Sequence, residues 1–274
     1  MGATPFDVST GGSPGAAIPS ARSWERERLV PLPAWMLRET SRSHAVALLD
    51  LDGTLLDSNA AHASAWHEAI VAAGYPPVPI EKLRALIGVG ADKLLRFALG
   101  VDRRDSEWRR ITALRRRLFR EKYLDTLQPF PGVTSLLRAL RDAGWQPVIA
   151  TSASSDEVDG LIRRAGVAHL VTDVVSASHY MPSKPDPDLF ELALRRLQSD
   201  RESAKVLGDT PYDLMAATRA RIRSVALRCG GWSDTALAAA EAIFDDPLDL
   251  VRRFESSPFA AGARSAGRVS VGAQ

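Results

Sequence analysis

Four short polar segments carry the residue types that could do chemistry in this 274-residue chain: Asp50-Leu51-Asp52-Gly53-Thr54-Leu55-Leu56-Asp57-Ser58, Thr151-Ser152-Ala153, Ser183-Lys184-Pro185 and Gly208-Asp209-Thr210-Pro211-Tyr212-Asp213. Asp50 and Asp52 stand two residues apart, so both side chains can point to the same side where the chain leaves a strand. Three or four carboxylates crowded together repel one another unless a cation sits among them. Oxygen ligands without cysteine or histidine suit a hard cation such as magnesium. A lysine, a hydroxyl and strand-end amides would then hold an anion with several oxygens, and phosphate fits that description.

Bringing these segments together requires a sheet that delivers all of them to one edge. Apolar runs that read as buried parallel strands lie at residues 45–49, 147–150, 171–175, 205–207 and 224–227, with a weaker one at 242–244. Helical patterns at 133–143, 156–165, 187–198, 212–221 and 233–240 separate them. This alternation predicts an α/β fold with a doubly wound parallel sheet and right-handed crossovers, whose ligands bind at the carboxyl ends of the strands. Residues 59 to about 130 break the rhythm, since every segment there reads helical: 60–73, 80–86, 92–99 and 106–124. Such a length is too great for a simple crossover and predicts an inserted α-helical cap.

The chain is therefore expected to divide into an N-terminal extension at 1–43, partly disordered; an α/β core at 44–58 and 130–255; a helical cap at 59–129; and a disordered tail at 256–274. Within the extension, Trp24, Leu29, Leu32, Trp35 and Met36 suffice for loose docking on another surface. A formal charge of +2 is too small to argue for nucleic acid. No run of about eighteen apolar residues predicts a membrane span. The single cysteine, Cys229, permits no intrachain disulfide and suits a reducing, cytoplasmic compartment. It reads as a strand-end packing residue.

Taken in order and spacing, the four segments resemble the motifs of the haloacid dehalogenase-like hydrolase superfamily, over roughly residues 44–255. The insertion after the first motif resembles the branch with a small helical cap, which includes phosphoglycolate phosphatase-like enzymes and β-phosphoglucomutase. The resemblance implies a phosphatase acting on a small phosphorylated metabolite, such as a sugar phosphate or a phosphoglycolate-like compound. Asp50 would be the nucleophile that forms an aspartyl-phosphate, and Asp52 the general acid and base. Asp52 would need to stay protonated, with nearby anions raising its pKa. Thr151 and the amides near Ser152 would hold phosphate oxygens, and Lys184 would neutralise charge. Magnesium would be bound by Asp50, Asp209 and the Asp52 carbonyl, with Asp213 close behind. The dehalogenase and phosphonatase branches lack an aspartate at the second position, so Asp52 argues against both.

In the cap, His62 and Trp66 lie one helical turn apart and resemble the arrangement in β-phosphoglucomutase; packing of the cap helix is the other reading. That enzyme has an arginine in its cap loop, whereas the comparable stretch here, Gly88-Val89-Gly90-Ala91-Asp92-Lys93, has none, and Lys93 would have to substitute. The stretch reads as a flexible, substrate-facing loop. Seven basic residues between Trp108 and Lys122 read as a solvated helix face, with electrostatic attraction of substrate or of an acidic partner as the other possibility. Two further functions stay open: a sugar-phosphate mutase, and a non-catalytic regulatory or binding protein on the same scaffold.

Overall fold

The computed structural model describes residues 44–177 and 182–260, so the expectations for the first 43 residues, and for the tail beyond residue 260, lie outside the described residues. Strand β1 (Val46–Leu49) is buried on both faces. Val46 and Leu48 join one apolar cluster while Ala47 and Leu49 join another, as the two-residue period of a strand requires. After β1 come a two-residue strand β2 (Leu56–Asp57), four helices α1 (Asn59–Ala72), α2 (Ile80–Arg84), α3 (Ala91–Leu99) and α4 (Ser106–Lys122), and a second short strand β3 (Gln128–Pro129). The chain then alternates through α5 (Val133–Asp142), β4 (Gln146–Ser154), α6 (Ser155–Ala165), β5 (Asp173–Ala177), α7 (Asp188–Leu197), β6 (Ala204–Gly208), α8 (Pro211–Ala220), β7 (Arg223–Leu227), β8 (Ala242–Phe244) and α9 (Pro247–Arg252).

Six strands form one parallel sheet in the order β5-β4-β1-β6-β7-β8. The chain builds outward from β1 through β4 and β5, then returns to the other side of β1 with β6. Such a reversal opens a crevice at the carboxyl end of the strands beside it. Leu136, Leu140, Leu161 and Leu250, from α5, α6 and α9, cover one face of the sheet. Leu189, Phe190, Ala216 and Ala220, from α7 and α8, cover the other.

The four inserted helices have an apolar core of their own, in which Trp66, Ile70, Leu83, Leu94, Leu95, Trp108 and Ile111 pack together. Its two chain connections are clamped side by side, because β2 pairs antiparallel with β3 through Leu56 opposite Pro129 and Asp57 opposite Gln128. Among the described residues, no helix is long and apolar enough to cross a membrane.

Two expectations are corrected. Residues 233–240 form turns rather than a helix. Leu237 alone of this stretch is fully buried, and backbone bonds from Leu237 to Ser233 and from Ala240 to Leu237 close single turns that do not propagate. The chain beyond Ser256 is not wholly a loose tail. Phe259 is fully buried, its ring lies edge-on to Trp145 at 5.4 Å, and the Trp145 indole donates to the Phe259 carbonyl at 2.8 Å. One large aromatic is enough to dock a short segment whose composition otherwise reads as loop. Phe259→Ala should therefore lower the unfolding free energy by about 3–5 kcal/mol in urea titration. A loss below about 1 kcal/mol would show that the segment merely rests on the core.

Candidate active site

The carboxyl ends of β4, β1 and β6 place three of the anticipated residues side by side. Leu49 pairs with Ile149 on one side and with Leu207 on the other, so Asp50 follows level with Ala150 and Gly208, one residue before Thr151 and Asp209. The Asp50 amide still donates to the Leu207 carbonyl at 2.9 Å, which holds its backbone in line with the sheet. β4 carries a register irregularity between Thr151 and Ser154, where Thr151 opposes Ser176 and Ser154 opposes Ala177. A bulge of this kind re-aims side chains at a strand end. Helix α6 takes Ser154 as its N-cap residue, so neither Thr151 nor Ser152 serves as its cap. The Thr151 hydroxyl accepts from the Ala153 amide at 3.0 Å, and the Ser152 hydroxyl is buried with no hydrogen-bond partner.

Beneath this edge lies a compact charge cluster. The Lys184 ammonium is fully buried, donates to Asp50 Oδ1 at 2.5 Å and lies 2.7 Å from Asp213 Oδ1. Burial alone would push its pKa down; Asp213 and Asp50 outweigh that and hold it above its ordinary value. Asp213 also occupies the third position of α8, where its Oδ2 accepts from the Thr210 amide and hydroxyl while the Thr210 hydroxyl accepts from its amide. This capping box fixes the carboxylate rigidly. Asp209 accepts from the Thr54 hydroxyl at 2.8 Å and from the Asn59 amide at 3.1 Å. Neither Thr54, which lies inside the first motif, nor Asn59 is marked by the sequence as a partner of Asp209.

Asp50, Asp209 and Asp213 bring one carboxylate oxygen each within 4.8 Å of one another, all buried. Three carboxylates thus face one ammonium, an imbalance that burial makes costly. Its signature is in the acidities. Burial, with Asp213 and Asp52 adding to it against the pull of Lys184, raises the Asp50 pKa to about 7. Burial, then Asp213 and Asp50, raises that of Asp209 well above the usual range. Oxygen donors of this type and number fit a hard divalent cation. The Asn59 carbonyl oxygen, buried without a hydrogen-bond donor, leaves a further acceptor in the same place. Two glycines keep the space clear: a Cβ on Gly230 would stand 1.8 Å from Asp209 Oδ2, and one on Gly53, whose φ is +83°, would stand 2.3 Å from the same atom.

The Asp52 carboxylate turns away from this cluster, accepting from the Ser58 hydroxyl at 2.6 Å and lying 2.8 Å from His62 Nε2. The other ring nitrogen, Nδ1, contacts the guanidinium of Arg115. Arginine can only donate, so Nδ1 carries the lone pair and Nε2–H donates to Asp52. Arg115 in turn is paired with Glu157, in the first turn of α6, with both side chains largely buried. The imidazole stacks on Phe119 at 4.3 Å, and the guanidinium lies over Trp66 and Phe119. The expectation that neighbouring anions would raise the Asp52 pKa is reversed. Burial pushes it up, but His62, Ser58 and Arg115 outweigh burial and lower it.

A cavity opens above Asp50 and Asp52, lined by Thr151, Ser152, His62, Trp66, the 87–92 loop and Arg115. Lys93 does not line it. Its ammonium donates to the Ser183 carbonyl and hydroxyl at 2.5 and 3.1 Å and pairs with Asp186 at 3.1 Å. The Gly88–Lys93 stretch faces the cavity yet is pinned rather than free. The Gly90 amide donates to the Ser183 hydroxyl at 3.0 Å, and a Cβ on Gly90 would meet the Ser183 Cβ at 2.6 Å. The basic helix is corrected in one respect: Arg115 is buried in the site while Arg109, Arg110 and Arg120 are exposed. It belongs to the inward stripe Trp108, Ile111, Thr112, Arg115, Phe119, a spacing that could have revealed it. Cys229 donates to the Gly53 carbonyl at 3.2 Å, and burial together with Asp209 raises its pKa, which keeps it a thiol.

Gly230→Ala should displace the Asp209 carboxylate, weakening magnesium binding by calorimetry at least about tenfold, with circular dichroism unchanged. Unaltered magnesium affinity would separate Asp209 from metal binding. Without metal, Asp50 and Asp209 bind protons more tightly folded than unfolded. Stability should therefore fall as pH rises from the ordinary carboxylate value of 3.8 through about 7, and magnesium should offset the loss. The lowered Asp52 acts only below that window. Denaturation curves at several pH values, with and without magnesium, check this; a metal-free protein that gains stability between pH 5 and 7 would contradict it.

Residues 47–227 match the haloacid dehalogenase-like hydrolase family. The chain is 32% identical over 209 residues to the phosphoglycolate phosphatase of Vibrio cholerae, covering 74% of this chain and 92% of that one. It is 28% identical over 215 residues to the N-acetylmuramic acid 6-phosphate phosphatase of Pseudomonas aeruginosa, covering 74% and 92%. A crystal structure of a hydrolase from Pseudomonas syringae superposes with a TM-score of 0.71 at 27% identity, covering 77% of this chain and 98% of that one. The chain belongs to the haloacid dehalogenase-like hydrolase family, and its relatives in that family include named phosphatases.

Proposed function

We propose that this chain is a magnesium-dependent phosphatase that hydrolyses a small phosphorylated metabolite through a phosphoryl group held covalently on Asp50. The observation that supports this most is the position of the Asp50 carboxylate. It lies at the floor of the cavity, 2.5 Å from the Lys184 ammonium, at the edge of the acidic cluster and two residues from a second carboxylate held ready for proton transfer.

In the first half-reaction, one Asp50 oxygen attacks phosphorus while the bond to the ester oxygen breaks, and that oxygen takes a proton from Asp52. Asp52 in the arrangement described is the proton acceptor. The phosphate dianion beside it raises its proton affinity, so Asp52 takes up a solvent proton as substrate binds; the His62 and Ser58 bonds both fall on Oδ1, which leaves Oδ2 to carry that proton to the ester oxygen. In the second half-reaction, Asp52 takes a proton from water as the water oxygen attacks phosphorus, which releases inorganic phosphate and restores the Asp50 carboxylate. Thr151 and the buried Ser152 hydroxyl offer donors to the phosphoryl oxygens, and Lys184 holds charge at Asp50 throughout. Asp50, Asp209 and the Asp52 carbonyl would hold magnesium, with Asp213 behind, and the cation would supply positive charge against the phosphoryl oxygens. The helical insertion, whose residues roof the cavity, acts as a cap that excludes water during transfer. Residues 59–129 form that cap, 44–58 with 130–255 form the catalytic core, and a cytoplasmic setting suits the unpaired cysteine.

A mutase, returning the phosphoryl group to substrate, is the second reading. The buried Arg115 at the cavity wall favours it, because a bisphosphorylated species needs a second cationic site. Phosphorus NMR on a panel of phosphomonoesters with magnesium decides between them. The phosphatase releases inorganic phosphate, Asp50→Asn reduces this by at least roughly a thousandfold, and Asp52→Asn slows both half-reactions. Undiminished turnover by Asp50→Asn would sink the mechanism, and a rearranged sugar phosphate without free phosphate would make the enzyme a mutase.

A further inference from the structure

We propose that Arg115 selects the substrate class: a phosphomonoester carrying a second anionic group, carboxylate or phosphate, a short spacer away from the scissile phosphate. The inference rests on the phosphatase reading and adds the chemistry of the part of the substrate that does not react.

Arg115 lines the cavity yet is 93% buried, its own exposure being 7%. A guanidinium has five N–H donors. Here Nη1 donates to Glu157 and Nη2 to His62, which leaves three of the five; Nε–H among them is buried with no acceptor. A buried unpaired donor on a charged group is costly, and the fold carries that cost at the wall of its binding cavity. The group that satisfies it most strongly is an anion with two oxygens, since the Nε–Nη edge of arginine matches a carboxylate or phosphate in a two-point contact. The nearest protein carboxylate does not supply it, because Glu157 engages the Nη1 side and also accepts from Ser154 at 3.1 Å.

The position of Arg115 sets the spacer. It is separated from the Asp52 carboxylate by one imidazole ring and two hydrogen bonds. A substrate whose ester oxygen reaches Asp52 therefore has room for only a few bonds before it meets the guanidinium. The aromatic faces of Trp66 and Phe119, 5.3 and 4.7 Å from the guanidinium carbon, exclude water and hold the group in one orientation. Lys93 is engaged with Ser183 and Asp186, and Arg116, which also lines the cavity, pairs with Asp156 at 2.8 Å.

Three esters on a two-carbon skeleton test the assignment: ethyl phosphate with a neutral tail, 2-phosphoglycolate with a carboxylate, and ethylene bisphosphate with a second phosphate. The native enzyme should prefer one of the charged-tail esters, and that preference tells carboxylate from phosphate. Arg115→Gln should lower kcat for all three through its contact with His62. It should also raise KM for the preferred charged-tail ester roughly 10- to 100-fold relative to ethyl phosphate. Arg115→Lys, which keeps the charge and loses the two-point contact, should recover part of the discrimination. Glu157→Gln, a near-isosteric change that reaches Asp52 only through Arg115 and His62, should act in the opposite sense and lower KM for the charged-tail ester severalfold, because the competing anion is gone. Equal losses on all three esters, or no preference for a charged tail in the native enzyme, would overturn the assignment. Phosphate release from none of the esters tried, by an enzyme that binds magnesium, would instead overturn the phosphatase reading and the Arg115 assignment with it.

Discussion

Three carboxylates and a single ammonium buried at the carboxyl ends of β1 and β6 form the constraint around which this molecule is arranged. Charges so placed cannot be screened by water, and one lysine cannot balance Asp50, Asp209 and Asp213. Everything adjacent is fitted to that imbalance. Thr54 and Asn59 reach across the chain to give Asp209 donors. Gly53 and Gly230 leave out side chains that would collide with it. The parallel sheet supplies the rest, because the reversal of strand order at β1 collects the ends of β4, β1 and β6 without any long loop. The cluster is a destabilising feature that the surrounding apolar layers must offset, the usual relation between a fold and its reactive centre.

A second constraint links the insertion to the core. Asp52 is on the core, His62 on α1, Arg115 on α4 and Glu157 on α6, so one polar chain runs from core to insertion and back. Because arginine only donates, the direction of every hydrogen bond along the chain is set, and His62 is left as a donor toward Asp52. The state of the Asp52 carboxylate thus depends on α1 directly, through His62, and on α4 and α6 at one and two removes. The antiparallel pair β2–β3 clamps the base of the insertion, and the Gly90, Lys93 and Ser183 contacts fasten its far side next to Lys184. Displacement of the insertion would break contacts beside both Asp52 and Lys184.

The core was legible in the sequence because each polar motif follows an apolar run of strand length, and both signals are local. Asp50, Thr151 and Asp209 are readable in this way, whereas Lys184 comes from a loop beyond its strand. Arg115 was not, since its neighbours Arg109, Arg110, Arg116 and Arg117 hide a single inward arginine in a helix that reads as a solvated face. Only the inward stripe that runs from Trp108 through Ile111 to Phe119 marks it, and that stripe gains meaning once α4 is known to pack on α1. The direction of the Asp52 pKa is hidden from the sequence for a related reason. Sequence neighbours are acidic, but the side chain turns away from them toward His62 and Ser58, partners 10 and 6 residues distant. The stretch 233–240 failed oppositely: its composition favours helix, yet tertiary packing buries only Leu237 and gives the remaining turns nothing to build on.

Asp213 and Trp66 each have a place in the packing of the fold and a place beside the cluster or the cavity. Asp213 caps α8 through Thr210 and also confronts Lys184; the same rigidity serves each purpose, because a capped first turn fixes the carboxylate that holds the ammonium against Asp50. Trp66 packs in the core of the insertion and at the same time lines the cavity and underlies Arg115. In a site built from strand ends and helix starts this overlap follows from economy of space. The positions that can aim a polar group into the crevice are also those that begin the next element. A structural explanation for such a residue is therefore not evidence against a chemical one, and the deciding observation is whether its polar atoms are all satisfied within the fold. Asp213 Oδ1 meets Lys184, while Ser152 and Arg115, both at the cavity wall, each keep a buried polar atom without a partner.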